Sequence, residues 1–261
     1  MGELDLFRLE GRVAIVAGGS GGIGVRTCAA LAGVGARVAV IGRSAERLAA
    51  ATDAVTAAGS EALPVVGDMT VKADADRAVA ETLERFGRVD ILINAIGGGA
   101  GAVLHNAEDY PEEDWDWIFD LNLRSTLLPS QAVARAMIAA GNGGRILNLS
   151  SVRGQLGLNA GYSAYVAVKG AINALTRQHA TEWAKHGITV NAISPTFVRT
   201  PQVESMLADE VFYEKLIARI PLGRIAEPDD LIGAMLFFCS DASSFVTGQN
   251  LTLDGGLTAT Q

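Results

Sequence analysis

The sequence has little of what marks metal-bound, disulfide-bonded, nucleic-acid-binding or membrane proteins. Its two cysteines, Cys28 and Cys239, form no CxxC or Cys/His pattern, so we predict neither a disulfide framework nor a metal site. The net charge is −8 and no Lys/Arg-rich run occurs, which argues against nucleic acid as a partner. No run reaches the roughly 18 apolar residues of a membrane span. The first residues show no signal-peptide pattern, and we expect a cytoplasmic protein.

Aromatic residues are also scarce, at 6%, although 49% of residues are hydrophobic. The core must therefore be built mainly from aliphatic side chains and alanine. Glycine is abundant, with 30 residues that cluster at 18–24 and 97–101. Clustered glycine is typical of backbone that approaches another group closely, and not only of flexible chain.

Short apolar runs alternate with helical patterns along almost the whole chain. The predicted strands cover 12–17, 37–41, 63–66, 89–93, 145–149 and 188–193. The predicted helices cover 22–34, 44–58, 72–86, 111–140 and 162–185, with Ser44 as an N-cap and a break near Asn122. Such alternation predicts an α/β fold, a single-domain Rossmann-like, doubly wound parallel sheet of about seven strands with helices on both faces.

One domain is expected to cover residues 1–261, since no linker or fixed-period repeat interrupts the series. The segment 196–228 does not fit the alternation and is rich in proline. It follows a strand at the edge where α/β folds bind ligands, so we interpret it as a substrate-loop insertion.

The first predicted strand runs into the glycine turn Gly18–Gly24 and then into a helix. Glycines there allow a tight turn and close approach to a pyrophosphate, which the helix N-terminus would bind. The alternative is a turn with a structural role alone. Its position in the first βαβ unit favours dinucleotide binding.

The second predicted strand ends at Ile41-Gly42-Arg43-Ser44, with no acidic residue at its tip. An NAD site usually has an acid there for the ribose 2′-hydroxyl. Arg43 could instead pair with a 2′-phosphate, so NADP(H) is favoured and NAD(H) stays possible. The alternative for Arg43 is a solvated surface side chain.

Tyr165 and Lys169 stand four residues apart on a predicted helix and would share one face. An adjacent ammonium stabilises a phenolate and turns tyrosine into a usable acid and base. Ser151 follows the fifth strand, where its hydroxyl could bond a substrate oxygen. A tyrosine and lysine at this spacing also occur by chance, so their weight comes from their place in the array.

With these motifs the sequence resembles the short-chain dehydrogenase/reductase family over nearly its whole length. Motifs of that family fall at ordered positions: the turn Gly18–Gly24, Asp68, Asn94-Ala95-Ile96-Gly97, Asn122, Ser151, Tyr165, Lys169, Pro195, Thr200 and Asp254-Gly255-Gly256. The likeness is strongest to bacterial gluconate 5-dehydrogenase-like and 3-oxoacyl-carrier-protein reductase-like members.

The resemblance implies an oxidoreductase that interconverts a carbonyl and a secondary alcohol. Tyr165 would be the general acid in reduction and the base in oxidation, and Lys169 would lower its pKa and hold the nicotinamide ribose. Ser151 would orient the substrate oxygen. Asn122 would anchor a water that links Lys169 to a proton relay.

The resemblance also implies a set of cofactor contacts, with Asp68 on the adenine and Thr200 and the backbone near Val198 on the carboxamide. The full set is Gly18, Ser20, Gly22, Ile23, Gly24, Arg43, Asp68, Met69, Asn94, Ala95, Gly97, Tyr165, Lys169, Pro195, Val198 and Thr200.

Three positions depart from the family pattern. Ala17 stands where a threonine is usual, Ala95 where the second asparagine of Asn-Asn-Ala-Gly is usual, and Thr196 where a glycine follows the proline. None is a catalytic position.

The substrate is predicted less sharply. The polar candidates around the site are His105, Arg153, Gln155 and Tyr162. Arg153 or His105 could meet a carboxylate, which would suit a small sugar acid; polyols and simple ketones stay open, as does a 3-oxoacyl thioester. A non-catalytic dinucleotide sensor on the same fold is the hypothesis from another class. By resemblance we also expect a homotetramer that pairs the helices near 111–140 and 162–185.

Overall fold

The structure, a computed structural model, describes residues 2–260. Its central element is one sheet of seven strands: β1 Val13–Ala17, β2 Arg37–Gly42, β3 Ala62–Val66, β4 Ile91–Asn94, β5 Gly144–Leu149, β6 Ile188–Pro195 and β7 Asn250–Leu253. All six strand pairs are parallel.

Nine α-helices accompany these strands within residues 2–260. They are α1 Gly22–Gly33, α2 Ala45–Ala57, α3 Lys72–Phe86, α4 Glu112–Phe119, α5 Ser125–Ala140, α6 Ser163–Trp183, α7 Glu204–Leu207, α8 Glu210–Ile217 and α9 Pro228–Cys239. No helix among the described residues is long and apolar enough to cross a bilayer.

The strand order is β3-β2-β1-β4-β5-β6-β7. The chain therefore builds the sheet outward from β1 in one direction and then outward from β4 in the other. The crevice at the carboxyl ends of β1 and β4 is the switch point, where doubly wound sheets bind nucleotides. The predicted doubly wound parallel fold is confirmed.

The sheet lies between two aliphatic layers. Every residue of β1 and β4 is buried, because parallel strands covered on both faces bury their whole length. One face packs on α1 and α9 through residues such as Leu31 and Met235. The other packs on α3 and α5 through residues such as Val79 and Val133.

The predicted helix over 111–140 is interrupted at Asn122, as expected. A π-helical turn, Asp120–Arg124, separates α4 from α5. Such turns are frequent at functional sites because they displace one residue from the regular helical ladder. The predicted cap is also present, since the Arg47 backbone N–H donates to Ser44 Oγ at 3.3 Å.

Segment 196–228 forms an arm that carries the short helices α7 and α8. Its two ends meet in an isolated parallel bridge between Val198 and Ala226, where the Arg199 N–H donates to the Ala226 carbonyl at 2.8 Å. Leu216, Ile220 and Ile225 of the arm pack on Val152 in a small apolar cluster of their own.

Candidate active site at the carboxyl edge of the sheet

The glycine turn lies between β1 and α1 at the switch point. Gly18 adopts φ +85°, a left-handed conformation that a residue with a side chain seldom takes. A Cβ at Gly24 would overlap the Gly18 carbonyl oxygen and lie 2.7 Å from Gly19 Cα. Helix α1 therefore approaches the turn as closely as glycine allows, and its first N–H groups point into the crevice.

The end of β2 lies against this turn. A Cβ at Gly42 would lie 2.6 Å from Ser20 Oγ, so the serine hydroxyl and the tip of β2 are neighbours. Arg43 follows immediately and is exposed. No carboxylate lies within 4.0 Å of its guanidinium among residues 2–260.

Asp68 and Met69 follow β3, one strand further out. Asp68 Oδ1 accepts hydrogen bonds from the Thr70 backbone N–H at 2.9 Å and from its hydroxyl at 2.8 Å. The Met69 side chain is buried in the core, so only its backbone can face a bound group. Ile23, on the first turn of α1, packs partly against the opposite core layer.

Asn94 ends β4 inside a buried polar network. Its Nδ2 donates to Ser130 Oγ and to Asn148 Oδ1, both at 2.9 Å, while its buried Oδ1 has no hydrogen-bond partner among residues 2–260. The next residue, Ala95, donates its N–H to the Ala17 carbonyl at 2.8 Å. Backbone bonding thus joins β1 to the turn after β4 where the family has a threonine hydroxyl.

Asn122 holds the glycine-rich chain beyond that turn. Its Oδ1 accepts from the Gly98 N–H at 2.9 Å, and its Nδ2 donates to the carbonyls of Gly98 at 3.1 Å and Ile118 at 2.9 Å. A Cβ at Gly97 would lie 2.7 Å from Asn122 Oδ1 and 3.1 Å from Lys169 Nζ. The asparagine side chain is therefore occupied by backbone, and it borders the lysine across Gly97.

Lys169 and Tyr165 share a face of α6, as predicted. Lys169 Nζ lies 5.4 Å from the centre of the Tyr165 ring and donates to the Leu149 carbonyl at 3.1 Å. Burial lowers the pKa of Lys169 to about 8. Burial raises the pKa of Tyr165 to about 12, against the opposing effects of the Ser151 hydroxyl and the Arg153 charge.

Ser151 caps a short 3-10 turn, Val152–Gly154, which follows β5. Its Oγ accepts from the Arg153 N–H at 3.2 Å. The turn sits on α6, because a Cβ at Gly154 would lie 2.8 Å from the Lys169 carbonyl oxygen. The end of β5 and helix α6 thereby place Ser151, Tyr165 and Lys169 on one wall of the crevice.

The chain after β6 closes the opposite side. Pro195 is buried at the strand end, and Val198 is fixed by the bridge at the base of the arm. A Cβ at Gly22 would lie 3.0 Å from Thr200 Cβ, so Thr200 borders the start of α1. A further contact here has no motif in the sequence that could have predicted it. The Gln202 side chain lies against Gly98, where a Cβ would be 2.8 Å from Gln202 Cδ.

The four predicted substrate contacts fall into two groups: two have polar partners within this chain, and two lie near Tyr165. His105 Nε2 lies 2.6 Å from Asp114 Oδ2, and Gln155 Nε2 donates to Thr252 Oγ1 on β7 at 3.1 Å. Both polar groups have a partner within this chain, and their role as substrate contacts stays a prediction. Tyr162 instead lies edge-on to Tyr165, with ring centres 6.5 Å apart, and Arg153 is buried beside them.

The chain is similar to known proteins over nearly its whole length. The family model described as "Enoyl-(Acyl carrier protein) reductase" matches residues 17–258. A gluconate 5-dehydrogenase of Gluconobacter oxydans is 40% identical over 258 residues, which cover 99% of each chain. A 2-dehydro-3-deoxy-D-gluconate 5-dehydrogenase of Escherichia coli is 38% identical, with coverage of 97% and 98%.

Solved structures agree in fold. A gluconate 5-dehydrogenase from Burkholderia cenocepacia in complex with NADP and tartrate superposes with a TM-score of 0.91 at 35% identity, over 100% of both chains. A short-chain type dehydrogenase/reductase from Mycobacterium marinum gives a TM-score of 0.90 at 34% identity, also over the full length of both.

Proposed function

This chain belongs to the short-chain dehydrogenase/reductase family, and from that premise we propose that it is an NADP(H)-preferring enzyme for a small sugar acid. Its reaction class follows from membership: it is an NAD(P)-dependent oxidoreductase that interconverts a carbonyl and an alcohol. The observation that carries the proposal is the wall of Ser151, Tyr165 and buried Lys169 facing a glycine turn at the switch point.

The residues present fit a dinucleotide. Glycines at 18 and 24 leave a backbone cradle that a Cβ would fill, and the twelve-residue helix α1 directs its N-terminus at it. When bound, the nicotinamide supplies or accepts the hydride. Contacts are assigned to Gly18, Ser20, Gly22, Ile23, Gly24, Arg43, Asp68, Met69, Asn94, Ala95, Gly97, Tyr165, Lys169, Pro195, Val198 and Thr200.

In reduction, Tyr165 donates its phenolic proton to the carbonyl oxygen of the substrate, which Ser151 orients through its hydroxyl. A pKa of about 12 keeps that proton on Tyr165 at neutral pH. The Lys169 ammonium stabilises the phenolate left behind. Asn122 keeps Gly98 in place and borders Lys169 across Gly97, a position suited to a water that returns the proton.

Preference for NADP(H) is supported by Arg43. It stands exposed at the tip of β2, beside Ser20 and without a carboxylate partner within residues 2–260. An arginine suits a phosphate, whereas the acid that binds a ribose 2′-hydroxyl is missing from this tip.

A sugar acid is supported by the relatives, which include gluconate and 2-dehydro-3-deoxygluconate dehydrogenases. A 3-oxoacyl thioester is the second candidate, favoured by the description of the matching family model. A screen that contains both classes separates them.

We also propose that the chain works as one domain over residues 1–261, with 196–228 as its substrate arm, and that copies form a homotetramer in the cytoplasm. Exposed Trp117 on α4 and the outward Ala167 and Ala174 on α6 support pairing through these helices. Ala164, in contrast, packs inside its own chain. Two free, buried cysteines fit a reducing compartment.

The test is Tyr165→Phe, assayed for NADPH oxidation with keto acids, keto sugars and β-keto thioesters. Removal of the hydroxyl should lower turnover at least 1,000-fold while the Kd for NADPH changes less than about threefold, because the proton donor is lost and the cradle is not. Tyr162→Phe, on the same turn but without a lysine four residues later, should keep turnover within about tenfold of the wild type. Tight NADPH binding by the wild type without turnover of any class would instead favour a dinucleotide sensor.

A further inference from the structure

Two buried cations stand out among the charged groups of residues 2–260. Arg153 is 7% exposed and Lys169 is 3% exposed, and every other described arginine and lysine is more accessible. The buried acids Asp90 and Asp254 have partners: Arg88 pairs with the first, and backbone N–H groups bond the second. Neither buried cation lies within 4.0 Å of any described carboxylate.

The role of Lys169 accounts for its burial, but that role leaves Arg153 unexplained. A guanidinium carries five N–H donors, and within the described residues one side-chain hydrogen bond is made, from Nη1 to the Gly157 carbonyl at 3.3 Å. Burial lowers the pKa of Arg153, and the neighbouring charge of Arg219 lowers it further. The surroundings therefore add positive charge to the guanidinium, and among residues 2–260 no carboxylate pairs with it; only the Tyr162 and Tyr165 side chains oppose the lowering of its pKa.

A buried charge without a partner destabilises a fold. A fold keeps such a group where a bound species completes it. The position of Arg153 favours the substrate as that species: its backbone N–H donates to Ser151 Oγ at 3.2 Å, and its charge opposes the raised pKa of Tyr165.

We propose that Arg153 is the specificity-determining residue that binds the carboxylate of the substrate. This rests on the proposed oxidoreductase function and adds what the enzyme selects: a hydroxy or keto acid whose carboxylate takes the forked donors of the guanidinium while Ser151 and Tyr165 hold the reacting oxygen. A planar carboxylate matches that fork in shape and in charge, one against one.

The test compares 5-keto-D-gluconate with its carboxamide, which keeps the shape and loses the charge, in wild type, Arg153→Met and Arg153→Lys. The wild type should favour the acid in kcat/KM by 10- to 100-fold, the range of a charge-assisted hydrogen bond. Arg153→Met should lower kcat/KM for the acid alone, until it equals kcat/KM for the carboxamide. Arg153→Lys, which keeps the charge without the fork, should be intermediate.

Two further measurements keep the inference separate from the function on which it rests. D-gluconate should raise the Tm of the wild-type protein with NADPH and not that of Arg153→Met, a readout independent of turnover. Lys185→Met, which removes an exposed cation before β6 at the other edge of the sheet, should match the wild type throughout.

If Arg153→Met lowered kcat/KM equally for both substrates and also lowered the urea midpoint of unfolding, Arg153 would be a structural residue. That result would overturn the inference. So would wild-type indifference to the carboxylate, or higher kcat/KM for a phosphorylated keto sugar. Absence of NADPH oxidation with every keto acid, keto sugar and thioester would instead defeat the proposed function itself.

Discussion

At the scale of single residues, the role we propose for an arginine at this site depends on its burial and on the charges near it. Arg43 and Arg153 are both arginines without a carboxylate within 4.0 Å among residues 2–260, yet one is exposed and the other buried. Water solvates the exposed Arg43, so the lack of a carboxylate costs the fold little stability. The charge of the buried Arg153 destabilises the fold until an anion binds to it. The same residue type thus suits a cofactor phosphate at the rim and a carboxylate in the interior.

The Arg43→Ala variant tests the cofactor assignment at this scale. Loss of a charge-assisted pair with the 2′-phosphate should raise the Kd for NADPH about 10- to 100-fold and leave the Kd for NADH within about twofold. Fluorescence titration with each dinucleotide measures both constants.

Arg47→Ala is the matched control, since Arg47 is exposed one turn later on α2. It should leave both constants unchanged. Equal weakening of NADPH and NADH by Arg43→Ala would remove the basis for NADP(H) preference.

Contacts between candidate site residues that are near in the chain could be predicted from the sequence. Tyr165 and Lys169 meet because four residues make about one turn of helix. The side chains of His105 and Gln155 are held by Asp114 and by Thr252, the latter 97 residues distant in the chain. A partner that distant is brought in by the sheet order, so no local pattern could show that Gln155 was already occupied.

Among the elements, the helix that begins at the glycine turn is the most tightly constrained. Gly24 lies inside α1 in ordinary helical conformation, so its requirement is for space and not for backbone freedom. The Gly18–Gly19 backbone occupies the place of its Cβ. The π-helical turn at Asn122 is the opposite case, because there a side chain is required and the helix is irregular. The turn places Asn122 Oδ1 where it accepts from the Gly98 N–H.

We expect Gly24→Ala to raise the Kd for NADPH at least 50-fold, because the added methyl pushes the turn away from the helix N-terminus that we propose as the pyrophosphate site. Far-UV circular dichroism should still report the folded sheet and helices. Calorimetric titration gives the binding constant.

Gly33→Ala provides the control within the same helix. A Cβ at Gly33 would meet no atom of residues 2–260 within 4 Å. NADPH binding by Gly33→Ala should therefore match that of the wild type, and the stability of the variant should equal or exceed the wild-type value. NADPH binding by Gly24→Ala at wild-type strength would show that the close approach is not needed.

At the scale of the whole molecule, the buried lysine links catalysis to stability. The pKa of Lys169 is about 8 in the folded chain, against about 10.4 when the chain is unfolded. The unfolded chain therefore binds more protons between these values, and stability rises with pH across that window. Below pH 8 both states are protonated, and the folded state bears the full penalty of a buried ammonium.

Lys169→Met removes this penalty and with it the pH dependence. The difference in free energy of unfolding, variant minus wild type, should fall by about 2 kcal/mol between pH 7 and pH 9.5. The wild type gains this stability as Lys169 loses its proton. Urea unfolding at the two pH values measures the change, and Lys185→Met should show none. Parallel behaviour of Lys169→Met and wild type would mean that Lys169 titrates normally.

The bridge between Val198 and Ala226 has a consequence for how such enzymes diversify. The chain leaves the sheet and returns to it at neighbouring points, so the arm between them can lengthen, shorten or be exchanged by recombination without moving a strand. The sequences of the sheet and of the arm can then change at different rates during evolution. The crevice at the switch point is held fixed by the sheet, while the arm, which we propose to be the substrate segment, is free to vary.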